Sequence, residues 1–386
     1  MLSRPVFIAA VVVVVVVGAL LWHRLVPAVA QPAVGDVLVS DLDVDLIDPE
    51  FDQAFDRFTW VDNQGKVWIG KVDPKTGNFT PPSGQSVLID TGAAPTELVG
   101  NGPEWVYTSS GAQIVYTRYE EGRLALARAR FDNGNWTAGL LEAGSGRYAP
   151  VGSLDEGDEQ PRIGYVGRNE ERKLVTFWRH LDNPDSEAEV PGSEPPGGRW
   201  VEGMRSIVLT QKVGTGRQGF LYNVDSQILE QLTFDAGVKK TIIMWRAPEY
   251  NNEYLFFVLI NETNIGVYRK TNGTWKKIYT VDPPSRGEYL WSPEVLVHNG
   301  KSYIFMVTST SRDQKSKTIP TDIWLAGIDS TSPFYRRISD TTERVRKDPE
   351  VYITELGPFV YFLDYIEPRS QATAIYRADT GLGPAN

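Results

Sequence analysis

Five Pro-Glu dipeptides, starting at Pro49, Pro103, Pro248, Pro293 and Pro349, distribute Glu50, Glu104, Glu249, Glu294 and Glu350 along the chain, and Asp48 and Asp348 precede the first and last. In an extended strand residues i and i+2 point to one side, so Asp48 with Glu50 and Asp348 with Glu350 are expected to share a face. Carboxylates crowded in this way push some of their pKa values up. One protonated and one ionised acid is the arrangement glycoside hydrolysis needs, and oxygen donors also suit a hard cation such as Ca²⁺. Catalysis, however, is asymmetric, whereas a Glu repeated in five units serves every unit. Its preferred role is to accept backbone or arginine hydrogen bonds from a neighbouring unit, with Arg246, Arg344 and Arg346 at hand. Asp48 and Asp348, which are not repeated, stand evenly between function and turn capping.

Further candidates surround this set. Asp41, Asp43 and Asp45 alternate with Leu42, Val44 and Leu46, a strand with one acidic face that reads first as a charged edge strand and second as a calcium site completed by Asp52 or Asp56. Trp245 and Trp291 shortly precede their prolines and Trp105 follows Glu104, so all three are candidates for stacking a sugar, although most Trp in such folds pack between sheets. Three histidines, at 23, 180 and 298, are too scattered for a multi-His metal centre. The chain has no cysteine, no Gly-X-Ser-X-Gly elbow and no phosphate-binding glycine loop, which excludes thiol and serine-hydrolase chemistry and nucleotide binding of that kind.

The elements that must hold these residues repeat as well. GPEWVYTSSGAQIVYTR from Gly102, SPEVLVHNGKSYIFMV from Ser292 and DPEVYITELGPFVYFLDY from Asp348 each run β-patterned stretch, turn, aromatic-rich stretch. Several short strands per unit of about 40 to 60 residues indicate an all-β chain folded as a β-propeller. The Pro-Glu starts are separated by 54, 145, 45 and 56 residues, and the long gap hides two degenerate units, one starting at Gln160-Pro161-Arg162 and one near Trp200. Seven blades are expected, with six and then five as alternatives. The segment 37–46 is expected to pair with the C-terminal strands and close the ring, and Asp182 to Gly198 to form a projecting loop.

At the N-terminus an uncharged apolar run of 18 residues from Pro5 to Trp22 follows Arg4. Residues 1–30 therefore read as a signal-anchor helix, or as a signal peptide cleaved near Ala30, ahead of one propeller domain, 31–386, outside the cytoplasm. Absence of cysteine in an exported chain points to a bacterial envelope, and the Asn-X-Thr sequons at Asn78, Asn135, Asn261 and Asn272 read as chance. A net charge of −10 disfavours nucleic acid and anionic lipid as partners, leaving membrane contact to the N-terminal helix.

Two propeller families resemble the chain. GFLYNVDSQILEQLTFDAG from Gly219 is similar to the strand-turn-"LT" rhythm of TolB-like periplasmic propellers. The unit starts WSPEVLVHNGKSYIFMV from Trp291 and RKDPEVYITELGPFVYFL from Arg346 resemble arabinanase- and xylosidase-type (family 43-like) glycoside hydrolases. The second resemblance implies Asp48 as general base and Asp348 as modulator of a partner's pKa. The family's general acid has no clean counterpart, since Asn101 stands ahead of Gly102-Pro103, which leaves Glu294 or Glu249. That family has five blades, against seven counted here. The first expectation is a binding or assembly module of the bacterial envelope. Its ligand site, at the mouth of the central channel, would involve Glu50, Glu104, Glu249, Glu350, Trp245 and Trp291. The alternative is a glycoside hydrolase, and the partner is accordingly a carbohydrate or an envelope protein.

Overall fold

The computed structural model describes residues 35–42, 45–142, 146–195, 197–329, 331, 334–365 and 373–386. The expected leader helix and its cleavage site lie outside these residues, and no described helix is long and apolar enough to cross a membrane. Seven antiparallel sheets form seven blades. Their innermost strands are Ile47–Asp52, Glu104–Thr108, Tyr148–Gly152, Arg199–Trp200, Lys239–Ala247, Tyr289–His298 and Arg346–Thr354, in blades one to seven.

Alternation along each strand sends apolar side chains to both sheet faces, so each blade must be covered by a neighbour on both sides. The buried apolar residues fall into seven clusters, each straddling one pair of adjacent blades. The cluster with Phe58 and Trp60 of blade one and Tyr352 and Tyr361 of blade seven is the join where the ring closes. Around it the Tyr352 hydroxyl donates to Asp56, and that of Tyr361 to the Gly77 carbonyl at 2.6 Å.

Blade seven is built from both ends of the chain, as expected. Its outermost strand, Asp36–Leu38, pairs with Thr373–Asp379, and it is shorter than the segment 37–46 that the sequence suggested. Asp36 also reaches a fully buried Arg346, whose Nε and Nη2 donate to its Oδ2 at 2.8 and 2.6 Å. The same guanidinium donates to the Thr321 carbonyl and to Asp340. Each donor on this cation thus has a specific acceptor, the condition under which a buried charge is tolerated.

Three local expectations need correction. Pro161 does not open blade three. The innermost strand there contains Ala149-Pro150-Val151, and Arg162–Arg168 is the second strand. The motif's Glu has become Val151, which hid the repeat. In blade five the innermost strand ends at Ala247, and Pro248–Tyr250 forms the turn that follows it. Finally, Asn183–Glu189, expected within a loop, is the outermost strand of blade three, because the edge of Leu174–His180 supplies hydrogen-bond partners that local composition does not reveal.

Replacing Asp36 by alanine is expected to lower unfolding free energy by about 3 kcal/mol or more in urea denaturation, because it leaves a buried guanidinium short of its main acceptor. The Asp340→Ala change, at a partner that is partly exposed, should cost less. Equal costs would show that the Asp36 contact does not close the ring.

Candidate functional site

Five innermost strands carry the same irregularity near their start. Between Ile47 and Glu50, Tyr148 and Val151, Lys239 and Ile242, Trp291 and Glu294, and Lys347 and Glu350, three steps on the inner strand face two on its partner, which is one extra residue. In the four that hold a proline there, the residue before it absorbs the extra residue with positive φ: Asp48 at 54°, Ala149 at 52°, Ser292 at 42° and Asp348 at 46°. Asp tolerates that conformation better than Ser or Ala. The shared-face expectation for Asp48 with Glu50 therefore reaches the right place by a bulge rather than by a regular pleat.

The bulge aligns the blades residue by residue. Counting from the first paired residue after it, and from the first strand residue in blades two and four, the ring position holds Glu50, Glu104, Val151, Arg199, Ile242, Glu294 and Glu350 in blades one to seven. Two indoles confirm the alignment. Trp105, next to Glu104, donates to the Glu50 carbonyl at 2.9 Å, and Trp200, next to Arg199, donates to the Val151 carbonyl at 3.2 Å. Blades six, seven, one and two are consecutive round the closed ring. Their four glutamates, with Asp48 and Asp348, make an acidic arc facing Arg199, the one cation at the ring position, whose Nη2 lies 3.0 Å from Glu294 Oε1.

The electrostatics follow from this imbalance. Burial first, then Glu350, Glu104 and Asp48, push the Glu50 carboxyl well above the usual carboxylate range. Burial and Glu294 do the same to Glu350. Burial lifts Glu104 to about 7, with Arg199 opposing and Asp48 adding. Asp348, exposed at its surface although blades crowd round it, is lifted to about 6 by burial and by Asp48, with Lys347 opposing. Burial raises Asp48 and Glu294 too, against the pull of Arg199. The carboxylates in turn, Glu294 foremost, hold the Arg199 guanidinium firmly charged. Asp48 accepts a short hydrogen bond from the Gly102 amide, and Gly102 has to be glycine because a Cβ there would lie 2.8 Å from the Asp48 side chain.

The channel has two chambers, of about 520 and 430 Å³, and Arg199 and Glu294 line both. The larger lies on the side where chains enter the inner strands and includes Arg217, Lys240, Thr241, Glu262 and Ser292. The smaller runs from the ring position toward the first hairpin turns, past Trp105, Trp200, Ile243 and Met244 to Glu156 and Glu202.

Other expected residues fall elsewhere. Glu249 is not in the arc. It sits in the turn after the blade-five strand and accepts hydrogen bonds from the Ser302 amide at 2.8 Å and hydroxyl at 3.0 Å, the blade-to-blade role foreseen for the repeated Glu. Trp245 and Trp291 are 6% and 2% exposed and pack between blades, too covered to offer a stacking platform. Lys347, 8% exposed, holds its ammonium 4.7 Å from the centre of the Trp291 ring. Of the alternating aspartates, Asp43 lies outside the described residues, Asp41 is exposed, and Asp45 is raised by burial and by Asp62. Among the described residues no three His, Asp or Glu are grouped so as to hold a metal ion. Sequence reasoning missed Arg199, although Arg199-Trp200 parallels Glu104-Trp105 and the shared Trp was the available signal.

No family model matches the chain, and no curated protein matches it. Solved structures do, among them TolB-like and other β-propellers. An oligogalacturonate lyase from Vibrio parahaemolyticus is 10% identical with a TM-score of 0.54, over 91% of this chain and 94% of that one. The Cps50 (Swd1) β-propeller domain of Myceliophteria thermophila is 9% identical with a TM-score of 0.54, over 87% and 97%. TolB from Acinetobacter baumannii is 13% identical with a TM-score of 0.40, over 83% and 78%. At these identities the likeness is one of fold.

The raised carboxyls link stability to pH. Between the ordinary Glu value of 4.5 and about 7 at Glu104, the native state binds more protons than the unfolded state, so stability falls as pH rises through that window. Asp348 acts likewise between 3.8 and about 6. The melting temperature should therefore be higher at about pH 5 than at about pH 8, and Glu350→Gln should narrow the difference. A variant with the full wild-type pH dependence would show that the arc is not the source.

Proposed function

We propose that this chain is a binding module, exported by residues 1–30 and held at the bacterial envelope, whose acidic channel takes a positively charged ligand. The observation that carries the reading is the charge imbalance at the ring position, where Glu50, Glu104, Glu294 and Glu350 meet one guanidinium, Arg199. A symmetric structural role would give each blade the same residue. Instead the acids fill four consecutive blades, and Val151 and Ile242 occupy the ring position in two of the others. Crowding raises the free energy of the ionised arc, and an incoming cation relieves it. Glu294 already accepts the Arg199 guanidinium in this way. Net charge favours such a ligand over nucleic acid. Envelope proteins with basic segments and small organic cations both fit that description.

A second reading, glycoside hydrolysis, is favoured by one observation. Asp48 and Asp348 lie close enough for Asp48 to raise Asp348, and Glu104, lifted to about 7, also senses Asp48. In that reading Asp48 is the base, Asp348 the modulator, and Glu104 the proton donor in place of Glu249 or Glu294. The binding reading is preferred because Asp48 is engaged by the Gly102 amide and Glu294 by Arg199, which leaves Asp48 less free to activate water.

Calorimetry with guanidinium and alkylammonium salts should detect saturable binding at neutral pH, weakened about tenfold or more in Glu50→Gln/Glu350→Gln. Aryl arabinosides, aryl xylosides, arabinan and xylan should be left intact by the wild type. Hydrolysis by the wild type that is lost in Asp48→Asn would replace the binding reading with the enzymatic one.

A further inference from the structure

The smaller chamber has acids at both ends and an apolar wall between them. At the ring end stand Glu50, Glu104, Glu294 and Glu350 with Arg199, and at the hairpin-turn end stand Glu156 and Glu202. Along blade four the two ends are Arg199, in the strand Arg199–Trp200, and Glu202, in the turn that follows it. Between them lie Trp105, Trp200, Ile243, Met244, Trp245 and Val295.

Glu50 and Glu350 supply an observation separate from the number of acids. Both side chains are half-buried and line the chamber. Neither carboxylate has a hydrogen-bond donor or an ion-pair partner among the described residues, the nearest cation effect coming from Arg199, already bonded to Glu294. Half-buried carboxylates that face a cavity with no partner of their own are the groups a cation in that cavity would engage. At the other end Glu202 is raised by burial and by Asp155 and Glu156, with Arg246 pulling the other way. That Arg246 guanidinium is stacked on the Tyr254 ring at 4.5 Å, and Asp155 is bonded to Arg162. The chamber carboxylates are not grouped to coordinate a metal ion. An alkylammonium, which needs separate acceptors around each head and an apolar path between heads, matches the layout better.

We infer that the smaller chamber is a receptor for a linear diammonium ligand, with one head among Glu50, Glu104 and Glu350, the other at Glu202 and Glu156, and its hydrocarbon spacer along the apolar wall. This rests on the reading of the channel as a cation site. The spacer accounts for what a cation receptor as such does not require, namely aromatic and aliphatic side chains between two acidic poles. Arg199, bonded to Glu294, stands where the two chambers meet, so the acids at the two ends of the smaller one set the spacing between the heads.

The test is calorimetry on the full-length chain in detergent micelles at neutral pH, with α,ω-diaminoalkanes from diaminopropane to diaminooctane and with butylamine as the single-headed probe. Affinity should rise with length to a maximum, and the best diamine should bind about tenfold or more tighter than butylamine. Glu202→Gln, shown by near-UV circular dichroism to be folded, should erase that advantage and bring the best diamine down to the affinity of butylamine. If diamines and butylamine bind alike, weakened equally by Glu350→Gln and untouched by Glu202→Gln, the two-headed ligand is wrong and the cation channel stands. If no alkylammonium binds, or Glu350→Gln alters nothing, both readings fall.

Discussion

Every blade of this molecule is apolar on both faces, and a stack of such sheets has no stable end unless it bends round to meet itself. Ring closure is the constraint on which the rest depends. It is met by giving one blade strands from both termini, by an aromatic cluster joining Phe58 and Trp60 to Tyr352 and Tyr361, and by the buried Asp36–Arg346 pair. The pair stabilises modestly compared with the apolar burial around it. Its larger effect is on specificity, since a guanidinium with acceptors on Asp36, Thr321 and Asp340 fits one register of the closing strand.

Closure also creates the site. Only when blade seven meets blade one do Asp348 and Glu350 come beside Asp48 and Glu50, residues some 300 positions apart in the chain. A bulge near the start of five inner strands fixes which residue stands at the ring position, and sevenfold geometry turns a choice of one residue per blade into a charge pattern. Four consecutive glutamates, one arginine and two aliphatic residues break the symmetry. Without partners of their own among the described residues, Glu50 and Glu350 hold protons more tightly than ordinary glutamates, because burial and the neighbouring carboxylates disfavour their ionised forms. Glu249 shows what the same dipeptide does when shifted into a turn, where its carboxylate joins two blades through Ser302.

Much of this was legible in the sequence, for definite reasons. Alternating β-patterned stretches and recurring Pro-Glu gave the all-β class, the seven blades and closure by an N-terminal strand, because strand propensity and turn chemistry are local. Asp48, Glu50, Glu104, Glu294, Asp348 and Glu350 could be gathered because each lies beside a proline near the start of an inner strand. What failed depended on contacts distant in sequence. Val151 and Arg199 replace the marker residue, so the blade-three start and the lone cation were invisible to a search for Pro-Glu. Trp245 and Trp291 were candidates for stacking beside the favoured alternative of packing between blades, and a neighbouring blade covers each, which proximity to a proline does not disclose. Asn183–Glu189 forms a strand only because Leu174–His180 offers it an edge.

The account stands on the claim that the acids of blades six, seven, one and two are crowded into one channel with too little positive charge. Its most direct test is a carbon-13 NMR titration of the glutamate side-chain carboxyls in uniformly Glu-labelled chain, assigned through the single Glu→Gln variants at 50, 104, 294 and 350. At least one of the four should titrate with a midpoint near the value of about 7 given by burial at Glu104, with others displaced upward beside it. If all four instead titrate together near the ordinary 4.5, the carboxylates are solvated and independent, and the channel is not the cation site described.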